Sequence, residues 1–208
     1  MSVNTKYKDS LFSLLFSDPE ILRELYSALE GINLPKGIPI KINTLENALY
    51  MGQINDISFQ IGDKLIVLLE HQSTINPNLP FRLLMYVGKV YEKSTDKKGI
   101  YGTKLIPIPR PEFYVLYNGI APYPDEGIFK LSDMFIKTDF HGLPDKIPAL
   151  DLEVKVININ HGRNEIIIKR CETLRWYSAF VSKVREYEKE GLNLEESIKQ
   201  SIKYWHRA

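Results

Sequence analysis

Cysteine is almost absent from this chain: Cys171 is the only one among 208 residues. A single cysteine excludes an intramolecular disulfide framework and a zinc site built from several cysteines. No paired histidine motif, of the kind that accompanies a nucleophilic thiol, occurs with Cys171. We therefore interpret Cys171 as a packing residue.

Long apolar runs and charge of one sign are lacking too. Apolar blocks reach five residues, as at residues 65–69, whereas a membrane-spanning helix needs about 20. The first residues do not form the apolar stretch and cleavage site of a secretory signal. These absences predict a cytoplasmic protein that does not bind membranes. The formal net charge of +1 argues against a wholly basic, histone-like binding mode, but it leaves room for a local basic groove.

The composition that remains is that of an ordinary globular protein, with 44% apolar and 25% charged residues. The chain is longer than a usual domain of about 150 residues. We expect a core at residues 1–160 and a C-terminal helical extension at residues 161–208 that packs on it. No glycine-rich phosphate loop is present to suggest a nucleotide-binding fold.

Hydrophobic periodicity predicts the order of helices and strands. Two short helices fall within residues 7–30, and Asp18 with Pro19 marks the start of the second. Further helices are predicted at residues 79–93, 165–190 and 194–206. Strands are predicted at residues 54–61, 65–71, 112–117 and 152–159, and loops at 94–111 and 120–149. This order predicts a mixed α/β sandwich and not an alternating Rossmann unit.

Acidic and amide side chains coincide in the first two predicted strands. Side chains alternate along a strand, so Glu70 and Gln72 share one face, about 6.6 Å apart. Two registers are open. A three-residue connection places Asp56 opposite Glu70, whereas a two-residue turn places Asp56 beside Leu69 and the two acids on opposite faces. His71 points away from Glu70, and we interpret it as a structural histidine.

In the first register the two carboxylates lie about 5 Å apart and repel each other by roughly 3 kcal/mol. A divalent cation would turn this repulsion into coordination, and carboxylate oxygens suit magnesium, manganese or calcium. Such an ion activates water, and the amide of Gln72 could orient that water. The alternative is that Glu70 is simply solvated at a strand end.

The chain resembles the recombination-promoting nuclease/transposase family, a branch of the PD-(D/E)XK nuclease superfamily. The resemblance rests on several segments in a fixed order: Tyr7-Lys8-Asp9-Ser10-Leu11-Phe12, Asn55-Asp56-Ile57, Leu69-Glu70-His71-Gln72-Ser73, Arg82 with Tyr86, residues 111–119 and residues 151–160. It implies a restriction-endonuclease-like core, with a mixed central β-sheet flanked by helices. It also implies a core order of helix, three-strand meander, helix and strand, and cleavage of DNA with a divalent metal, Mg²⁺ first among the candidates.

The resemblance also implies roles for individual residues. Asp56 matches the first motif acid and Glu70 the second, and Gln72 stands where the superfamily pattern has a lysine. An amide cannot supply the fixed charge of a lysine, so more of the charge stabilisation falls to the metal or to a neighbouring base. Asp9 matches an acid that completes the set of metal ligands. An alternative role of equal weight for Asp9 is that of a helix cap.

Basic and aromatic residues are the candidates for contacts with DNA. Arg82 and Tyr86 lie one helical turn apart, and the resemblance places their helix beside the site. Arg82 could bind phosphate, and Tyr86 could belong to the core or bond to the site. Lys97, Lys98 and Lys104 fall in a basic loop that suits a DNA backbone, although a solvated loop has the same composition.

Three hypotheses about function follow. The first is a metal-dependent DNA endonuclease that hydrolyses phosphodiester bonds, linked by resemblance to recombination and mobile elements. The second is a catalytically inactive nuclease-fold module that binds DNA or a protein partner. The third is an interaction protein that forms a homodimer through the C-terminal helices.

Overall fold

The computed structural model describes residues 7–42, 56–63, 65–96, 98–136 and 147–205, with the backbone alone for Asp56, residues 65–68 and Glu70. The helices in these ranges are α1 (Tyr7–Leu15), α2 (Pro19–Glu30), α3 (Leu79–Ser94), α4 (Glu165–Arg170), α5 (Glu172–Lys189) and α6 (Leu194–Trp205). The strands are β1 (Ile40–Ile42), β2 (Asp56–Ile61), β3 (Leu65–Gln72), β4 (Arg110–Tyr117), β5 (Glu126–Lys130) and β6 (Glu153–Asn158).

The two N-terminal helices form where the sequence predicts them. The Asp18 carboxylate caps α2 by accepting the backbone N–H groups of Glu20 at 2.7 Å and Ile21 at 3.4 Å. Pro19 occupies the first turn, where its missing N–H costs nothing. Gly31 ends the helix at a φ of 68°, a left-handed conformation that glycine adopts without a Cβ penalty.

The strands form one mixed sheet in the order β1-β2-β3-β4-β6-β5. The first three strands are an antiparallel meander. β4 pairs parallel to β3, with α3 as the crossover, and β6 pairs parallel to β4. β5 closes the edge antiparallel to β6. The prediction of a mixed α/β fold is confirmed.

The register of the β2–β3 hairpin is the one that a three-residue connection requires. Asp56 pairs with Glu70, Ile57 with Leu69 and Phe59 with Val67. Leu69 and Phe59 are buried on the same side of the sheet, which agrees with this register because a slip of one residue would place them on opposite faces. The alternative with a two-residue turn is therefore wrong.

Helices cover both faces of the sheet. One face packs on α1, α2, α4 and α5 around a core that includes Phe12, Leu25, Leu69, Tyr114 and Tyr177. The other face packs on α3 around a second core, to which Leu83, Val115 and Val156 belong. Residues of α5 thus share the first core with the N-terminal helices.

α6 packs along α5 at the C-terminal end of the described chain. Its apolar residues Ile198, Ile202 and Trp205 line a groove together with α1 and α5. The homodimer expected through these helices stays a prediction. In the described ranges, no helix combines the length and the apolar character that crossing a bilayer requires.

Three features of the fold differ from the sequence-based expectation. β5 lies within residues 120–149, which were predicted as loop, because an edge strand of five residues is stabilised mainly by its pairing with β6. β1 was not predicted, and it pairs with β2 over three residues. The helix predicted at 165–190 is divided at Cys171, which is buried and extended with a φ of −123°.

Candidate active site

A cleft of about 350 Å³ opens where β3 ends and α3 begins. Four of the predicted or neighbouring polar residues line it: Asp9, His71, Gln72 and Arg82. They come from α1, β3 and α3, so the fold brings together residues that lie up to 73 positions apart in the sequence. The loop at residues 73–77 forms the remaining wall.

Asp56 and Glu70 belong to the same end of the β2–β3 hairpin. Their backbones pair directly, and directly opposite residues of an antiparallel pair have Cβ atoms about 4.5–5.5 Å apart. By strand alternation Glu70 shares a face with Gln72, the last residue of β3. The side chains of both acids lie outside the described part of the structure, so their role as metal ligands stays a prediction.

His71 joins α1 and α5 through two hydrogen bonds. Its Nδ1 lies 3.2 Å from Oδ1 of Asp9, and its Nε2 lies 2.8 Å from the hydroxyl oxygen of Tyr177. A carboxylate only accepts hydrogen bonds, so Nδ1 carries the proton and Nε2 accepts from the tyrosine O–H. The ring also stacks on Phe12, with centroids 4.7 Å apart.

Burial controls the charge of His71. The residue is 2% exposed, and this burial lowers the pKa of His71, while its hydrogen bond to Asp9 acts in the opposite direction. A neutral imidazole follows near pH 7, consistent with its interpretation as a structural histidine. Asp9 lines the cleft with 20% of its side chain exposed. The hydrogen bond from His71 therefore holds a partly exposed carboxylate at the edge of the cleft.

Arg82 and Tyr86 separate in the structure, although they lie one turn apart on α3. Arg82 lines the cleft, whereas Tyr86 is buried in the second core with Leu79 and Leu83. Of these two residues of α3, Arg82 is therefore the one that faces the cleft.

Gln72 is almost fully buried, and its backbone carbonyl accepts the N–H of Asn118 at 2.8 Å.

The basic loop lies elsewhere. Lys104 lines a different hollow together with Tyr91 and Thr95, near the C-terminal end of α3. Arg82 and Thr95 are about 20 Å apart along the helix axis at 1.5 Å per residue. Lys98 is exposed in the same loop, and Lys97 lies outside the described residues. Neither Lys98 nor Lys104 is among the residues that line the cleft, and contact of the three lysines with DNA stays a prediction.

Sequence reasoning missed an arginine beside the cleft. Arg185 of α5 donates from Nη1 to Oδ1 of Asn160 at 2.7 Å and from Nη2 to the backbone oxygen of Asn118 at 2.6 Å. Both asparagines follow predicted strands directly, which was the one available signal. Nothing in the charged helix sequence distinguishes Arg185 from its basic neighbours.

Oxygen ligands for a divalent cation would come from Asp56, Glu70 and Asp9. Within the ranges that the structure describes, no group of three or more histidine, cysteine, aspartate or glutamate residues clusters closely enough to hold a metal. The side chains of Asp56 and Glu70 are outside the described part of the structure. Cys171 takes no part in the site: burial raises the pKa of its thiol to about 12, and the residue packs in the first core.

Known proteins provide no further assignment. The chain matches no protein-family model, no curated protein and no solved structure at a significant level.

Proposed function

We propose that this protein is a metal-dependent DNA endonuclease with a restriction-endonuclease-like core. The observation that carries the proposal is the register that sets Asp56 opposite Glu70, next to a cleft lined by Gln72 and Arg82. The order of elements from α1 through the β1–β3 meander to α3 and β4 agrees with the core that the family resemblance implies.

The proposal gives distinct tasks to the two acids of the hairpin and to three residues of the cleft. Asp56 and Glu70 would hold a magnesium ion, with Asp9 as a third carboxylate, and manganese or calcium could replace it. When bound, such an ion lowers the pKa of water and neutralises the charge that develops on phosphorus. Gln72 would orient the attacking water through its amide, and Arg82 would bind the phosphate that is cut.

The amide of Gln72 shifts part of the electrostatic work to other groups. A lysine at this position would supply a positive charge beside the nucleophile, and glutamine cannot. Arg82 is a cation that lines the same cleft, so the proposal assigns to it the charge that the superfamily pattern supplies from β3.

A plasmid-nicking assay tests the proposal. The purified chain should convert supercoiled plasmid to open circles in Mg²⁺ and not in excess chelator. Asp56→Ala should lower the nicking rate at least a thousandfold, because one ligand of the ion is lost. Asp63→Ala, in the exposed β2–β3 turn, is the matched control and should keep the full rate. Full cleavage by the Asp56→Ala protein, with circular dichroism confirming both folds, would end this assignment.

A catalytically inactive module that binds DNA or a protein partner is the second candidate. The specific observation in its favour is Gln72 at the position of the superfamily lysine. Retention of labelled DNA in chelator, without nicking in magnesium, manganese or calcium, would favour this candidate over the endonuclease.

A further inference from the structure

A second and larger hollow, of about 670 Å³, opens beside the cleft at the ends of β4 and β6. Its floor is formed by residues that follow these two strands, and its wall by α5. The backbone N–H of Asn118 donates to the carbonyl of Gln72. Asn118 directly precedes Gly119 of the floor, so the floor lies close to the end of β3.

Arg185 lies in the wall of this hollow and is held by neutral groups. Its Nη2 donates to both the backbone oxygen and Oδ1 of Asn118, at 2.6 and 3.0 Å, and its Nη1 donates to Oδ1 of Asn160. Carboxylates pair with Arg23, Arg110, Arg163 and Arg175. Within the described residues, Arg185 forms no such ion pair.

The asparagines that hold Arg185 are themselves fixed. Asn118 is 1% exposed and Asn158 is 3% exposed. Oδ1 of Asn158 accepts both the backbone N–H and the Nδ2–H of Asn160, at 3.1 and 2.9 Å. Nδ2 of Asn160 also donates to the carbonyl of Gly119. The guanidinium therefore keeps one orientation without a bound partner.

Other charges around the hollow partly cancel. Arg163 pairs with Asp125, and Glu186 accepts from Lys183. Lys189 and Glu188 also line the hollow with opposite charges. Arg185 is the cation of the wall that neutral amide oxygens hold and that no carboxylate pairs with among the described residues. Because its Nη1 and Nη2 already donate to Asn160 and Asn118, it would attract a phosphate through its fixed positive charge.

We propose that Arg185 binds a phosphodiester group of a nucleic-acid strand, next to the phosphate that occupies the cleft. This inference rests on the proposed function for the identity of the strand. The ligand class follows from the chemistry of the wall: a preorganised guanidinium of fixed positive charge, in a hollow whose floor lies close to the end of β3. The strand would run from the cleft across the ends of β4 and β6.

The test measures binding of a fluorescent DNA oligonucleotide in chelator, where no cutting occurs, over a series of salt concentrations. Arg185→Gln should weaken binding about tenfold and reduce the slope of log affinity against log salt by about 0.7 to 0.9, the value for one lost phosphate contact. Arg185→Lys should keep the slope because it keeps the charge. Arg175→Gln, on the exposed part of α5, is the matched control and should bind like the wild type.

A second measurement needs no variant and separates ligand binding from a purely structural role. Phenylglyoxal modifies accessible arginines, and mass spectrometry locates the product. Saturating DNA should slow modification of Arg185 at least fivefold and leave that of Arg175 unchanged. Equal modification of Arg185 with and without DNA, or wild-type affinity and salt slope in the Gln variant, would overturn the inference.

The outcomes distinguish this inference from the endonuclease proposal. DNA binding that depends on Arg185, without nicking in any divalent metal, would keep the phosphate site and remove the nuclease. Nicking that requires Asp56, together with unchanged DNA binding by the Arg185→Gln protein, would keep the nuclease and remove the phosphate site.

Discussion

Carboxylates gather at two places on the sheet, and their partners differ. On the α2 face, Glu30 accepts hydrogen bonds from the hydroxyl of Tyr114 and the ammonium of Lys155, and Glu112 pairs with Arg110. At the end of β3, Asp9 is held by an imidazole and lines an open cleft. The first group of acids has basic partners within the chain, whereas Asp9 at the second place is held by His71 and lines the cleft with 20% of its side chain exposed.

Burial shifts the pKa values of Glu30 and His71, and hydrogen bonds oppose the shift in each case. It would by itself raise the pKa of Glu30, but the hydrogen bonds from Tyr114 and Lys155 outweigh it, so the pKa of Glu30 is lowered. At the cleft, burial lowers the pKa of His71 despite Asp9. The comparison separates a group of acids held by tyrosine hydroxyls and basic side chains from an acid held by a neutral imidazole at an open cleft.

The largest expected effect compares one acid from each place. Glu70→Gln should lower plasmid nicking at least a thousandfold, because the amide replaces a negatively charged ligand of the ion. Glu112→Gln should keep nicking within threefold of the wild type and lower the free energy of unfolding by about 1–3 kcal/mol, since it loses charge-assisted hydrogen bonds. Nicking assays and urea denaturation measure both variants. A Glu70→Gln protein that nicks at more than a tenth of the wild-type rate would contradict the expected difference between Glu70 and Glu112.

A smaller effect is expected from the two buried tyrosine hydroxyls. Tyr177→Phe and Tyr114→Phe each remove a buried hydrogen bond, and each should cost about 1–2 kcal/mol of unfolding free energy. Only Tyr177→Phe should also slow nicking, by about tenfold, because His71 then holds Asp9 less firmly. Equal nicking rates for the two variants would show that the contact between His71 and Asp9 does not affect the reaction.

The smallest effect is a dependence of stability on pH. Because the pKa of His71 is lower in the folded chain than its ordinary value of 6.5, the unfolded chain binds more protons in acid, and stability falls as the pH drops through 6.5. Between pH 7.5 and 5.5 this loss is at most about 1.4 kcal/mol. The lowered pKa of Glu30 acts in a separate window below 4.5.

Variants separate the two windows. Urea denaturation at pH 7.5 and 5.5 should show a smaller difference in unfolding free energy for His71→Asn than for the wild type. Glu30→Gln should keep the wild-type difference over that range and change only the response below pH 4.5. An unchanged difference in His71→Asn would mean that another group causes the acid sensitivity.

Local rules predicted much of the fold and part of the site. Alternation with a period of two placed Asp56 opposite Glu70 in one of the two registers that the sequence left open, and the structure has that register. The cap at Asp18 and the stop at Gly31 follow from backbone chemistry within a few residues. β5 could not be predicted in this way, since its stability comes from an edge pairing with residues that follow later in the chain.

The sequence by itself determined the mixed α/β order and limited the β2–β3 hairpin to two registers, of which one pairs Asp56 with Glu70. Only the tertiary structure decided which other groups lie beside that pair. It brought Arg185 to Asn118 across 67 positions and Tyr177 to His71 across 106, and it left Lys104 near the far end of α3. The physical reason is that periodicity fixes the face on which a side chain lies, whereas the packing of helices on the sheet fixes its neighbours.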